Sequence, residues 1–191
     1  MSFENLEDDI NKAVDVLRKG GIILYPTDTI WGIGCDSGNS EAVKRIYELK
    51  KRADSKSMII LTDSINNLDR YADVPEIAYE LIEAAVDPMT VVYDNARNIA
   101  PELKAEDGSV AIRVTREEVS GKLCKAMRKP IVSTSANISG EKSPTNFCDI
   151  PPEIIAGVDY VMESGRECNK GKKASTIIKL SADGSFKIIK K

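Results

Sequence analysis

The sequence predicts an α/β (α+β) fold: a twisted mixed sheet, parallel and antiparallel, flanked by helices. Three observations predict it. Helical and extended patterns alternate, but neither in strict strand–helix–strand order nor as runs of strands followed by runs of helices. Segments 22–25 and 58–61 are continuously apolar, as strands covered on both faces are. The C-terminal residues read as a hairpin, which requires antiparallel pairing. No repeat, low-complexity tract or linker divides the 191 residues, so one domain over 1–191 is expected, with a sizeable core.

Leu6, Ile10, Ala13, Val14 and Leu17 recur at helical spacing, and Gly20-Gly21 ends that helix. The strand 22–25 follows. Pro26-Thr27-Asp28-Thr29 leaves it, and residues 30–35 are extended, with two glycines. Ser40 is placed to cap the next helix, whose inward residues are Val43, Ile46, Tyr47 and Leu49. After strand 58–61, Pro75 suits a helical first turn, with Ile77, Leu81, Ile82 and Ala85 inward. Residues 89–93 and 109–114 are strands, and 116–127 a helix through Val119, Leu123 and Met127. A strand begins at Ile131 and another covers 158–162. The hairpin pairs 176–180 with 186–189 around a turn holding Asp183-Gly184.

With 42% hydrophobic and 30% charged residues, the chain has the balance of a folded globular protein. No apolar run approaches the ~20 residues of a membrane-spanning helix. The acidic N-terminal segment lacks the basic-then-apolar order of a secretory signal. Cys35, Cys124, Cys148 and Cys168 are irregularly spaced, with no pair at metal-ligand spacing. A reducing cytoplasm, no disulfide framework and no membrane association are the expectations. The sequence contains no histidine, which excludes Ser-His-Asp and Cys-His catalysis, histidine-ligated zinc and any imidazole acid or base. Chemistry must then rest on lysine, arginine, carboxylates, hydroxyls, backbone amides or a metal that the substrate brings. A net charge of −3 with local basic clusters suits a small anionic ligand better than broad duplex binding.

Four segments stand out as binding loops. In Ser133-Thr134-Ser135-Ala136-Asn137, a strand runs into small hydrogen-bonding side chains that can receive a polyanion; the commoner explanation is a polar turn. Thr27, Asp28 and Thr29 lie at the end of a buried strand, where open sheets place ligands, or form a Pro-containing turn with an Asx cap. Lys50 and Arg52 follow a helix, either as dipole complements or as a point charge and a planar fork facing phosphate, whereas Lys51 is assigned to solvent. Arg113 shares a strand face with Ser109 and Ala111 and needs an anionic partner, a protein carboxylate or a ligand's.

Tyr25-Pro26-Thr27-Asp28-Thr29 with Gly32-Ile33-Gly34, Lys50-Lys51-Arg52, Ile112-Arg113-Val114 and Ser133-Thr134-Ser135-Ala136-Asn137 with Ser139-Gly140 resemble, in this order, the YrdC/TsaC family of threonylcarbamoyl-AMP synthases. The resemblance implies a YrdC-like sheet around a large basic cavity. It implies synthesis of threonylcarbamoyl-AMP and pyrophosphate from L-threonine, bicarbonate and ATP, with Mg²⁺ on the nucleotide and no metal site on the protein. The product would serve N6-threonylcarbamoylation of adenosine 37 in tRNAs reading codons that start with A. By the same resemblance Lys50 and Arg52 are the catalytic cations on ATP phosphates, with Ser135 and Asn137 completing the set. Lys56, Ser109 and Ser143 are further nucleotide contacts, and Lys172 or Lys173 reach ATP. Thr27, Arg113 and Ser133 hold threonine, and the loop 141–147 closes over the cavity.

The chain departs from the family pattern in two places. Ala85-Val86-Asp87-Pro88 stands where many relatives have Trp-Pro-Gly-Pro, and Lys56 and Leu61 where longer relatives have asparagine and histidine. Two other classes compete: a module binding RNA, double-stranded included, and a paralogue with lost or changed activity. tRNA and the downstream threonylcarbamoyl-transfer complex are the expected macromolecular partners.

Overall fold

The structure, a computed structural model, describes residues 3–52, 58–166, 175–181 and 184–190. Its helices are α1 (Phe3–Arg18), α2 (Ser40–Leu49), α3 (Ile77–Ala84), α4 (Glu118–Met127) and α5 (Pro152–Gly157). Its strands are β1 (Ile23–Tyr25), β2 (Gly32–Gly34), β3 (Ile59–Thr62), β4 (Met89–Tyr93), β5 (Val110–Val114), β6 (Ile131–Ser135), β7 (Tyr160–Val161), β8 (Thr176–Leu180) and β9 (Phe186–Lys190). Among the described residues these strands form one sheet, in the order β7-β1-β2-β6-β3-β5-β4-β8-β9. Pairings β1–β7, β3–β5 and β4–β8 are parallel, and the remainder antiparallel, as the mixed-sheet expectation required.

The period of two along each strand sorts side chains onto two faces, and the two faces are covered differently. On one, Leu24, Ile33, Ile60, Val91, Ile112, Val132 and Ile178 pack against α2, α3 and the connecting turns. On the other, Ile23, Tyr25, Leu61 and Ile131 pack against Ile10, Ala13, Val14 and Leu17 of α1 and Val119, Leu123 and Met127 of α4. Each such buried aliphatic side chain contributes roughly 1.5–3 kcal/mol. The α1–α4 pair covers only part of this second face. One step along β6 from Ile131 on the same face is Ser133, and directly beside Leu61 is Arg113. The uncovered part of that face carries Arg113 and Ser133, where the covered part carries large apolar side chains.

Local departures from expectation have identifiable causes. Asn39, not Ser40, caps α2: its side chain accepts from the Ala42 N–H, whereas the Ser40 hydroxyl donates to Glu102. In α3 the buried residues are Ala78 and Ile82, and Ile77 is exposed, because the helix is only eight residues long and turns a narrower stripe inward. Strand 158–162 contracts to the two residues of β7. The short 3-10 turns Ile65–Arg70, Pro101–Leu103 and Phe147–Asp149, together with α5, have no strong periodic signal in the sequence. At the sheet's edge, β9 exposes Phe186 and Ile188, and its pairing with β8 is interrupted by an irregularity between Ile177 and Ile178.

Cys35 and Cys124 are buried free thiols, pushed up by burial, and Cys148 is exposed and free; Cys168 lies outside the described residues. Among the described residues no helix is long and apolar enough to cross a membrane.

Candidate functional site

The uncovered part of the second face is the floor of a pocket of about 470 Å³. Gly32, Ile59, Arg113, Ser133, Ser135 and Ile177 contribute from β2, β3, β5, β6 and β8. The turn between β1 and β2 supplies Thr27, Thr29, Ile30 and Trp31, the segment after α2 supplies Arg52, and the loop after β6 supplies Ser143 and Thr145.

Arg113 stands in mid-strand, 3% exposed, and its Nη2 pairs with Asp28 Oδ1 at 3.1 Å. The anionic partner expected from the sequence is thus a protein carboxylate. Its Nε is nonetheless buried with no hydrogen-bond partner. Burial lowers the Arg113 pKa from the usual guanidinium range, and the nearby Asp28 charge opposes that shift. A buried donor without an acceptor costs free energy, so this one marks where an acceptor belongs.

The Thr27 hydroxyl is taken up by its own turn. It donates to the Ile30 carbonyl at 2.7 Å, accepts from the Thr29 and Ile30 N–H groups, and lies 3.1 Å from the Thr29 hydroxyl. Thr27 lines the pocket, as expected, but its oxygen serves the loop.

Lys50 and Asn137 differ from expectation. Neither lines the pocket; both sit behind β6 and hold its end in shape. Lys50 is 1% exposed, and its ammonium donates to the carbonyls of Ser135 and Asn137 while its own carbonyl accepts from the Ser139 N–H. Burial, and secondarily Arg52, lower its pKa to about 8. The Asn137 amide donates to the carbonyls of Ile138 (2.8 Å) and Glu141 (2.9 Å), closing the turn that leads into the loop bearing Ser143. A pattern of polar residue types cannot distinguish a side chain that touches a ligand from one that shapes the loop touching it. Arg52 does reach the pocket, and burial lowers its pKa. Lys51 is exposed, with Glu153 at 3.5 Å.

Ser109 is engaged by a turn. Its hydroxyl donates to Asp107 at 2.6 Å, which fixes the turn entering β5, and it does not line the pocket. Lys56, Lys172 and Lys173 lie outside the described residues. The structure therefore gathers Thr27, Arg52, Arg113, Ser133, Ser135 and Ser143 around one cavity and places Lys50 and Asn137 in support.

Several lining residues carried little signal in the sequence. Thr29 sits in the Thr27 turn, and its partner there was the more prominent candidate. Trp31, the sole tryptophan of the chain, is 4% exposed and tilted against Phe147 at 5.0 Å. The Arg166 guanidinium lies over the Phe147 ring at 4.8 Å and donates to the Met162 and Val161 carbonyls. Ser175 lines the pocket with its hydroxyl 3.0 Å from that of Thr90.

The model of the Sua5/YciO/YrdC family, described as "Telomere recombination", matches residues 15–191. A threonylcarbamoyl-AMP synthase of Xanthomonas campestris pv. campestris is 31% identical over 159 residues, covering 81% of this chain and 85% of the relative. A putative threonylcarbamoyl-AMP synthase of Methanocaldococcus jannaschii is 34% identical over 186 residues, covering 95% of this chain and 86% of the relative. Among solved structures, P. abyssi Sua5 complexed with L-threonine superposes with a TM-score of 0.79 at 29% identity, over 90% of this chain. This chain spans only half of that Sua5 protein (50%). E. coli YciO shares the fold, with a TM-score of 0.83 at 24% identity over 95% of this chain and 88% of its own.

Proposed function

The chain belongs to the Sua5/YciO/YrdC family, and from that premise we propose that it is an L-threonylcarbamoyladenylate synthase, a nucleotidyltransferase that joins threonine, bicarbonate-derived carbon dioxide and ATP. One observation carries the reading: Arg113, a pocket-lining residue braced by Asp28, keeps a buried Nε–H with no hydrogen-bond partner. A braced guanidinium with a spare donor suits a carboxylate, which the amino acid supplies.

The pocket divides accordingly. Arg113, Thr29 and Ser133 receive the amino acid. Arg52, Ser135, Ser143 and Thr145 receive the triphosphate, with Lys50 and Asn137 holding the β6 turn in place behind them. A carbamate oxygen attacks the α-phosphorus of ATP, the bond to the bridging oxygen of pyrophosphate breaks, and the leaving group carries away the charge. The nucleophile is already an anion, so the step needs positioning and charge stabilisation more than a general base, in keeping with a chain without histidine.

Among the described residues no group of three or more potential metal ligands exists, and no described lining residue is a carboxylate. These residues do not make a magnesium site. Mg²⁺ is proposed as a companion of the ATP phosphates, and no step is assigned to it. tRNA and the downstream transfer complex, as eventual recipients of the product, and a cytoplasmic setting complete the proposal.

The test is pyrophosphate release by purified protein given ATP, threonine and bicarbonate. Release that depends on both threonine and bicarbonate is expected; its absence at high concentrations of all three defeats the reading. Arg52→Ala should lower kcat by about 10²–10³-fold, the usual cost of removing one preorganised charge donor. Lys51→Ala should leave turnover near wild type, since Lys51 faces solvent one residue away.

A further inference from the structure

We propose that β9 is a docking edge for another protein, which adds to the sheet an extended segment alternating acidic and apolar residues. The inference rests on the sheet edge alone and does not depend on the synthase reading.

Topology supplies the first argument. β9 ends the strand order, so among the described residues one of its backbone edges has no strand against it. Unpaired N–H and C=O groups along such an edge are a template for a further strand. The side chains are equally unfinished. Five large hydrophobic residues are exposed among those described, and three of them, Phe186 (66%), Ile188 (54%) and Ile189 (55%), belong to this strand. In register, Phe186 stands opposite Leu180 and Ile188 opposite Ile178, and both of those partners are buried. The apolar face of the sheet therefore continues onto β9 and ends there uncovered. The irregularity between Ile177 and Ile178 leaves Ile189 outside the register, so residues 186–188 are the regular stretch that a further strand can follow.

Charge identifies the occupant. On the opposite face Lys187 stands directly across from Lys179. Lys179 is answered by Asp107 at 2.6 Å and Asp94 at 3.5 Å, and no described carboxylate pairs with Lys187. Like charges facing each other across a strand pair are unfavourable, and a carboxylate on the next strand out relieves them. A second copy of β9 does the reverse, because it brings another lysine-bearing strand to the same edge; lysine there is a barrier to self-pairing. The edge thus selects against itself and for an acid flanked by apolar residues. β9 is hydrogen-bonded to β8, which carries Ile177 on the pocket wall, so a docked strand lies about 10 Å from β8, beside the pocket rim.

The experiment is fluorescence anisotropy with the full chain and a labelled peptide of about ten residues alternating valine and glutamate. A Kd of roughly 10–100 μM is expected, as suits a small interface of a few paired residues, and added salt should weaken it. Lys187→Glu should weaken binding about tenfold and transfer the preference to an alternating valine–lysine peptide. Lys187 is exposed, so this variant keeps the fold, which its unfolding midpoint checks. No binding of the valine–glutamate peptide at millimolar concentration overturns the proposal, as does unchanged affinity in Lys187→Glu. A control peptide with proline in place of valine lacks the N–H groups for pairing and should not bind. If it binds equally well, the contact is charge alone and strand addition is overturned. In sedimentation the chain by itself is expected as a monomer. A dimer that Ile188→Lys abolishes would give the edge to a second copy, and displacement of the peptide by duplex RNA would give it to nucleic acid; either result overturns the acidic partner.

Discussion

Arg113→Ala is expected to lose both stability and use of the amino acid, by separable routes. The guanidinium is almost wholly buried and is the ion-pair partner of Asp28 in the adjoining turn. Removing one member of a buried pair typically costs about 3–5 kcal/mol, because the remaining charge is left without its partner. Denaturant unfolding should record that loss. The double variant Arg113→Ala/Asp28→Asn should recover part of it, since the carboxylate that needed pairing is gone. Threonine turnover should not recover, because the carboxylate anchor is still missing; kcat/KM for threonine is expected to stay about 10²–10³-fold down in both variants. Affinity for ATP should change much less. Equal loss of threonine and ATP binding would remove Arg113 from the amino-acid end of the pocket.

Lys50→Met should be nearly as damaging while touching neither substrate. The methionine fills a similar volume but donates nothing, so the Ser135 and Asn137 carbonyls lose the ammonium that gathers them. Ser135 is the lining residue on that turn, and the Asn137 amide ties the turn to the loop carrying Ser143. The expected readout is weaker ATP binding with threonine binding largely retained. The pH dependence gives an independent signature. The folded Lys50 pKa is about 8, below the unfolded value of 10.5, so between these the unfolded chain binds more protons. The linkage slope is then positive, and the stability contribution of Lys50 rises with pH across that window. The grip on the β6 turn does the reverse, weakening as the ammonium becomes a neutral amine. ATP affinity falling through pH 8 while stability to unfolding holds or rises is the expected pattern, and Lys50→Met should abolish it. A wild-type affinity flat from pH 7 to pH 9 would exclude the positioning role.

Much of the scaffold was legible because its signals are local. Apolar runs gave β1, β3 and β6, helical spacing gave α1, α2 and α4, and the Asp183-Gly184 dipeptide in the sequence pointed to the final hairpin of β8 and β9, Asp183 itself lying outside the described residues. Short elements were not legible: a 3-10 turn such as Ile65–Arg70 or a six-residue helix such as α5 contains too few residues to express a period. Within the site, residue type carried part of the message. Arg52, Arg113, Ser133, Ser135 and Ser143 do converge, although far apart in sequence. Direction was the missing information. Lys50, Asn137 and Ser109 have the chemistry of ligands but spend it on backbone carbonyls or on Asp107, and that depends on rotamers which spacing does not encode. Thr29 was hidden by the same ambiguity, since two threonines share a turn and only the geometry shows that the Thr27 oxygen serves that turn.

Two glycines in β2 restrict how this pocket can change over evolutionary time. A methyl group added at Gly34 would lie 2.6 Å from the Val132 carbonyl oxygen and 2.7 Å from the Tyr25 ring, and one at Gly32 would press on Thr27 at 3.2 Å. The backbone atoms of β2 are committed to the ladders on both sides, so the strand has little freedom to retreat. Cavity depth is therefore a nearly frozen character. Inherited variation in what such a cavity accepts should accumulate instead around its mouth, at Ser143 and Thr145, where a loop can lengthen or shift without unseating the sheet.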